Sequence, residues 1–122
     1  MRIEAKPVWT NTGTRLEARR TYKLVASGEW KDASIPSSPA GYESKNLFQR
    51  ISERLRRVPS APWFALVGAI DRDQKTQFVI GLECTYSPPR GGELTCFAND
   101  VRGFEFNNSG AIDLQVTTVA GT

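Results

Sequence analysis

The residues best suited to chemistry gather in one stretch, Asn99-Asp100-Val101-Arg102-Gly103-Phe104-Glu105-Phe106-Asn107-Asn108-Ser109-Gly110. Asp100 follows a predicted strand, and Asn107 and Asn108 immediately precede the next one. A loop this short folds back on itself. It brings together one carboxylate, two side-chain carbonyls and several free backbone carbonyls. Hard oxygen donors held by a loop suit Ca²⁺, which takes roughly 6–8 oxygens. Mg²⁺ suits them less, because it keeps more of its water and demands stricter octahedral geometry. The same residues also spell an ordinary turn, since Asn and Gly tolerate positive φ. Spacing leaves both readings open.

Composition removes most other chemistries. The 122 residues contain no histidine, so the commonest general base and the commonest zinc ligand are both missing. A Ser-His-Asp or Cys-His arrangement is impossible, and no glycine-rich phosphate loop occurs. Two cysteines, Cys84 and Cys96, are too few for a disulfide scaffold or a four-thiolate metal site. Their strands would bring them face to face if a hairpin centred near Arg90, but two small reduced hydrophobes is the preferred reading. An enzyme is not expected. No apolar run approaches the ~20 residues of a membrane helix, and the opening Met1-Arg2-Ile3-Glu4-Ala5-Lys6-Pro7 lacks the apolar core of a secretory signal. The expectation is a cytoplasmic protein forming a single domain over residues 1–122.

The elements that must position the loop are mostly strands. Period-2 alternation and turn residues predict strands near residues 2–5, 15–18, 21–26, 63–70, 76–83, 93–99 and 111–119, with a turn at 10–13 and an open loop over 32–41. Seven or so short strands with Gly/Pro turns predict an all-β antiparallel sandwich of jelly-roll type. Trp9, Trp30 and Trp63 are expected in its core. One amphipathic helix is predicted over residues 45–58. Leu47, Phe48, Ile51, Leu55 and Val58 share one face, Ser44 is placed to cap the start, and Pro59 enforces the end. This face is expected to pack on the sandwich. The segment also carries Lys45, Arg50, Arg54, Arg56 and Arg57 against Glu53 alone, so it outweighs the formal net charge of +3. A solvated face explains that charge, and an anionic surface is the functional alternative. Nucleic acid is not an expected partner, since no aromatic interleaving or recognition motif is present.

Separated pieces of the chain, taken in order, resemble one family. They are Trp9-Thr10-Asn11-Thr12-Gly13, Leu24-Val25-Ala26-Ser27-Gly28-Glu29-Trp30, Pro39-Ala40-Gly41-Tyr42, Ala65-Leu66-Val67-Gly68-Ala69-Ile70, Phe78-Val79-Ile80-Gly81, Gly92-Glu93-Leu94, Asn99-Asp100-Val101 and Asn107-Asn108-Ser109-Gly110. The set resembles the calcium-dependent galactophilic lectins of bacteria, the PA-I type with a galactose-binding jelly roll. The resemblance implies that Asp100, Asn107 and Asn108 supply side-chain oxygens to Ca²⁺. It implies backbone carbonyls from Phe104 and from near Ala33, with Asp32 close enough to add charge. Sugar contacts are implied at Val101 and Phe104 in the loop, and at Tyr42 and Lys45 beside the longer one.

The departures lie where the sugar would be. The family's His contact has no counterpart, and its loop Thr matches Phe104. Lys45 and Phe48 fall loosely on the His and Gln positions. A buried sugar hydroxyl that loses its partner costs about 1–3 kcal/mol, so galactose is not the expected ligand. The leading expectation is a non-enzymatic, calcium-linked carbohydrate-binding module, with a homo-oligomer compatible. The alternative is a protein-interaction or structural module that keeps the fold without the sugar.

Overall fold

Period-2 alternation organises most of the chain in the computed structural model, which describes residues 1–120. The strands run β1 (Arg2–Glu4), β2 (Thr10–Leu16), β3 (Tyr22–Asp32) and β4 (Ile35–Ser37), followed by a helix α1 (Leu47–Ser52) that continues as a 3₁₀ turn (Glu53–Leu55). Then come β5 (Leu66–Ile70), β6 (Phe78–Val79), β7 (Glu83–Tyr86), β8 (Gly92–Ala98) and β9 (Asn108–Thr118). Two antiparallel sheets result. One has the order β1-β9-β3-β4, with β7 on the edge of β3 that β4 shares, and the other runs β2-β8-β5-β6. The fold is the antiparallel sandwich expected.

The spine is β3 against β9, paired without interruption from Tyr22↔Thr118 to Asp32↔Asn108. Alternation turns Leu24, Trp30, Ile112 and Leu114 into the interior, where each is fully or almost fully buried. Burial of each such side chain contributes about 1.5–3 kcal/mol relative to leaving it in water. Across the sandwich, β5 lies between β8 and β6 and is buried at every position. Trp30 closes one end, donating its indole N–H to the Phe64 carbonyl at 3.2 Å while meeting the Phe64 ring edge-on.

Several local expectations change. Residues 10–13 are strand rather than turn, because β2 absorbs an irregularity between Asn11 and Arg15. The strand expected to end at Ala26 runs on to Asp32, with Gly28 opposite Ile112 at φ +104, a conformation that side-chain-bearing residues rarely adopt. The loop 32–41 contains β4, and residues 76–83 divide between a 3₁₀ turn, β6 and the start of β7. Trp30 and Trp63 are core residues, whereas Trp9 is half-buried at the sheet surface. Cys84 and Cys96 lie in different sheets and are free thiols, so the facing hairpin does not form.

The helix differs most. It is short, its N-cap is Asn46 rather than Ser44, and it ends well before Pro59. Ser44 instead accepts the Trp63 indole N–H at 2.8 Å and donates to Glu53. The expected packing face is reversed. Gln49 and Ser52 point inward, while Leu47, Phe48, Ile51 and Leu55 are 60–72% exposed. Trp30 and Phe64 already close the core, and α1 lies over the polar Tyr42 hydroxyl and Lys45 amide, so its amide side turns in. No helix among the described residues is long and apolar enough to cross a membrane.

Candidate functional site

Asn99, fully buried at the end of β8, anchors the region. Its amide donates to the carbonyls of Val58, Ala61 and Pro62 at 2.9–3.1 Å, and its Oδ1 accepts the Val58 N–H. This fixes the crossing of residues 58–62 and thereby the direction of Asp100. The Asp100 carbonyl accepts the Arg57 N–H at 3.0 Å, and its Oδ1 accepts the Val101 N–H at 2.8 Å. The chain then turns, with the Phe104 N–H on the Val101 carbonyl and Gly103 at φ +95. A 3₁₀ turn (Glu105–Asn107) delivers Asn107 and Asn108 to β9.

The other wall comes from the β3–β4 hairpin. Its two-residue turn places Ala33 at φ +53, a conformation that costs a non-glycine residue roughly 1–2 kcal/mol. The Ala33 N–H donates to the Asn107 carbonyl at 3.1 Å, joining the two loops. Together they enclose a cavity of about 190 Å³. Asp32, Ala33, Asp100, Val101, Phe104 and Asn107 line it on one side, with Asn46, Phe48, Gln49 and Trp63 on the other. Phe48 stacks on Phe104 at 6.1 Å between ring centroids.

Asp100 is 4% exposed, and its Oδ2 has no hydrogen-bond partner. Asn108, 3% exposed, donates to the Ala5 carbonyl but leaves its Oδ1 equally unpaired. Burial pushes the Asp100 carboxyl up to about 7, and the charges of Asp32 and Glu105 push the same way. The Val101 N–H and the nearby Asn108 amide pull it back. Such a group gains from any cation brought beside it. Among the described residues no cluster of three carboxylate or thiol side chains could hold a metal, and the oxygens gathered here are of mixed carboxylate and amide kind.

Tyr42 and Lys45 are placed differently from the loop residues. Tyr42 donates its hydroxyl to Asp32 Oδ2 and accepts from Gln49 Nε2, both at 2.6 Å, and it reaches the cavity through those two residues. Burial, then the bonded Asp32 carboxylate, push its phenol far above the usual range. Lys45 is exposed beside a shallow neighbouring pocket, its ammonium 5.9 Å from the centre of the Tyr42 ring. Gln49 and Asn46 were missed in the sequence. The Gln49 Oε1 accepts the Lys45 N–H and Nε2 spends one proton on Tyr42, leaving one donor; Asn46 Oδ1 caps α1 and leaves its NH₂. The signal was present one residue from the loose match to Phe48.

No protein-family model matches the chain, and no curated protein matches it by sequence. Solved structures do. One described as "EclA N-terminal domain; PllA-like lectin" superposes with a TM-score of 0.71 over 98% of this chain and 94% of that one, at 20% identity. The two share one fold. The alignment with this lectin neighbour spans nearly the whole of both chains, so the likeness of fold extends across the sandwich described above.

Proposed function

We propose that the cavity between the Asp100–Asn108 loop and the β3–β4 hairpin is a calcium-dependent carbohydrate site in a non-enzymatic binding module. The observation that carries this reading is the pair of buried, unpaired acceptors, Asp100 Oδ2 and Asn108 Oδ1. An acceptor left without a donor in the interior costs about 1–3 kcal/mol, and a cation relieves that cost directly. Asp100, Asn107 and Asn108 would hold Ca²⁺ with the carbonyls of Ala33 and Phe104, a hard-oxygen set of the kind the ion prefers. Bound there, the ion would offer open coordination positions to hydroxyl oxygens of a sugar. The spare N–H groups of Asn46 and Gln49 suit the remaining hydroxyls, and the Phe48–Phe104 pair supplies an apolar wall.

The lectin neighbour supports carbohydrate as the ligand class. Galactose is not the expected sugar, because Phe104 offers no hydroxyl and no histidine exists in the chain. The test is a melting curve in chelator and then in millimolar Ca²⁺, followed by titration with a panel of monosaccharides in both conditions. A stabilisation of several degrees with Ca²⁺, and sugar binding only in its presence, is expected. A flat response to Ca²⁺ removes the metal, and binding indifferent to chelator removes the calcium dependence.

A further inference from the structure

Six of the ten large apolar side chains left exposed among the described residues lie on α1, its 3₁₀ extension and the adjoining loop. Leu47, Ile51 and Phe106 are each 72% exposed, Leu55 65% and Phe48 60%. Helical spacing puts Arg50 and Arg54 on the same outward side as Leu47 and Ile51. Both arginines are exposed, and neither forms an ion pair among the described residues. Glu53 is held by Ser44, and Glu105 by the Gly103 N–H and Arg102; Glu43, before the helix, is an exposed acid of the same region.

We infer that this face docks on an anionic lipid bilayer, with the apolar side chains entering the headgroup boundary and the arginines meeting lipid phosphates and carboxylates. Apolar side chains flanked by unpaired cations offer a bilayer both terms that drive interfacial binding, buried apolar area and attraction to anionic headgroups. A second copy is a poorer occupant, since pairing two copies of this face would gather Arg50 and Arg54 from each into one interface without acidic partners for them. A folded protein partner is poorer too. It would need a carboxylate for each free guanidinium at fixed spacing, whereas a lipid surface presents mobile anionic groups to Arg50 and Arg54 wherever they fall. Docking would also turn the cavity mouth, through Phe48 and Phe104, toward the membrane.

The inference is independent of the carbohydrate reading, so its test uses neither sugar nor Ca²⁺. The full chain, in chelator, is floated with vesicles of phosphatidylcholine alone or of an equimolar phosphatidylcholine–phosphatidylserine mixture. Flotation with the mixed vesicles only is expected, weakening as salt is raised. Ile51→Ser should lower partitioning about tenfold, and Arg50→Ala with Arg54→Ala on the order of fivefold per arginine. All these positions are exposed, and unchanged melting points confirm folding. Absence of flotation, equal flotation with both vesicle types, or full retention by Ile51→Ser overturns the proposal. A dimer by sedimentation that Ile51→Ser converts to monomer, in place of vesicle binding, overturns it equally.

Discussion

Asp100 Oδ2 and Asn108 Oδ1 are buried acceptors without donors, one just beyond the end of β8 and the other at the first residue of β9. The strands run in different sheets, and the loop between them brings the two ends together. Such a pair is stable when something positively charged satisfies both. Each of the first two expectations follows from that arrangement.

Asp100→Asn should abolish most of the calcium-induced rise in melting temperature, because it keeps the shape and removes the only formal charge among the three side-chain donors. Asn107→Ala should retain more of the response. Asn108→Ala should differ from both by melting lower even in chelator, since it leaves the Ala5 carbonyl without its donor at a cost of about 1 kcal/mol. Calorimetry of the three variants with and without Ca²⁺ reads this ordering. A full calcium response in Asp100→Asn places the ion elsewhere.

The pH dependence in chelator has a definite sign. Asp100 is raised from near 4 in the unfolded chain to about 7 in the fold, so the folded state holds its proton more tightly. Its stabilising contribution is fully present below about pH 4 and is lost as pH rises through 7. Asp71 and Asp73 act oppositely. The Arg90 side chain and a backbone N–H hold Asp71 low, and the Lys75 N–H followed by Arg90 does so for Asp73; their contribution fades in acid. Melting points of the parent should therefore decline between pH 4 and 7 relative to Asp100→Asn. With Ca²⁺ the proton and the ion compete, and calcium-induced stabilisation should grow as pH rises through 7. A parallel profile for the two proteins contradicts this.

Tyr42→Phe removes a hydroxyl that serves Asp32 and Gln49 at once. A loss of about 1–3 kcal/mol is expected, visible as a melting point lower by several degrees. This differs from a contact residue at a pocket mouth, whose removal would leave stability nearly unchanged. Calcium affinity should also weaken, because Asp32 loses the partner that fixes it at the cavity wall. An unchanged melting curve would refute the network.

Gly41 stands at φ +83, where an added Cβ would come within 2.6 Å of the Trp63 carbonyl and 2.8 Å of the Ala65 nitrogen. Backbone cannot yield as a side-chain tip can. Gly41→Ala should cost about 3 kcal/mol. It should also displace the Tyr42–Trp63 bridge that delivers Tyr42 to Asp32. Chemical denaturation gives the loss directly, and wild-type stability would show that the loop relaxes at no cost.

Both thiols should resist modification in the folded protein. Burial raises Cys84 to about 11 and pushes Cys96 further upward, so neither holds much thiolate near neutrality. A thiol reagent should label two sites in denaturant and almost none beforehand. An intact mass lower by two hydrogen atoms without reductant would reveal a disulfide instead.

The strands and the loop were legible in the sequence because their signals are local. Alternation at Ile112, Leu114 and Val116 needs only a neighbouring sheet to become a buried face, and Asp100, Asn107 and Asn108 are close enough in the chain that one loop must carry them. The outward turn of α1 had no local signal. A 3.6-residue period states that two faces differ, and it is silent on which one meets a core. That choice was settled by residues far away: Phe64 and Trp30 close the sandwich without help from the helix, and the Tyr42–Trp63 bridge sets a hydroxyl beneath it that only the Gln49 side can satisfy. The cavity is likewise a tertiary product, because Asp32 and Ala33 reach Asp100 only through the pairing of β3 with β9, which joins segments some eighty residues apart.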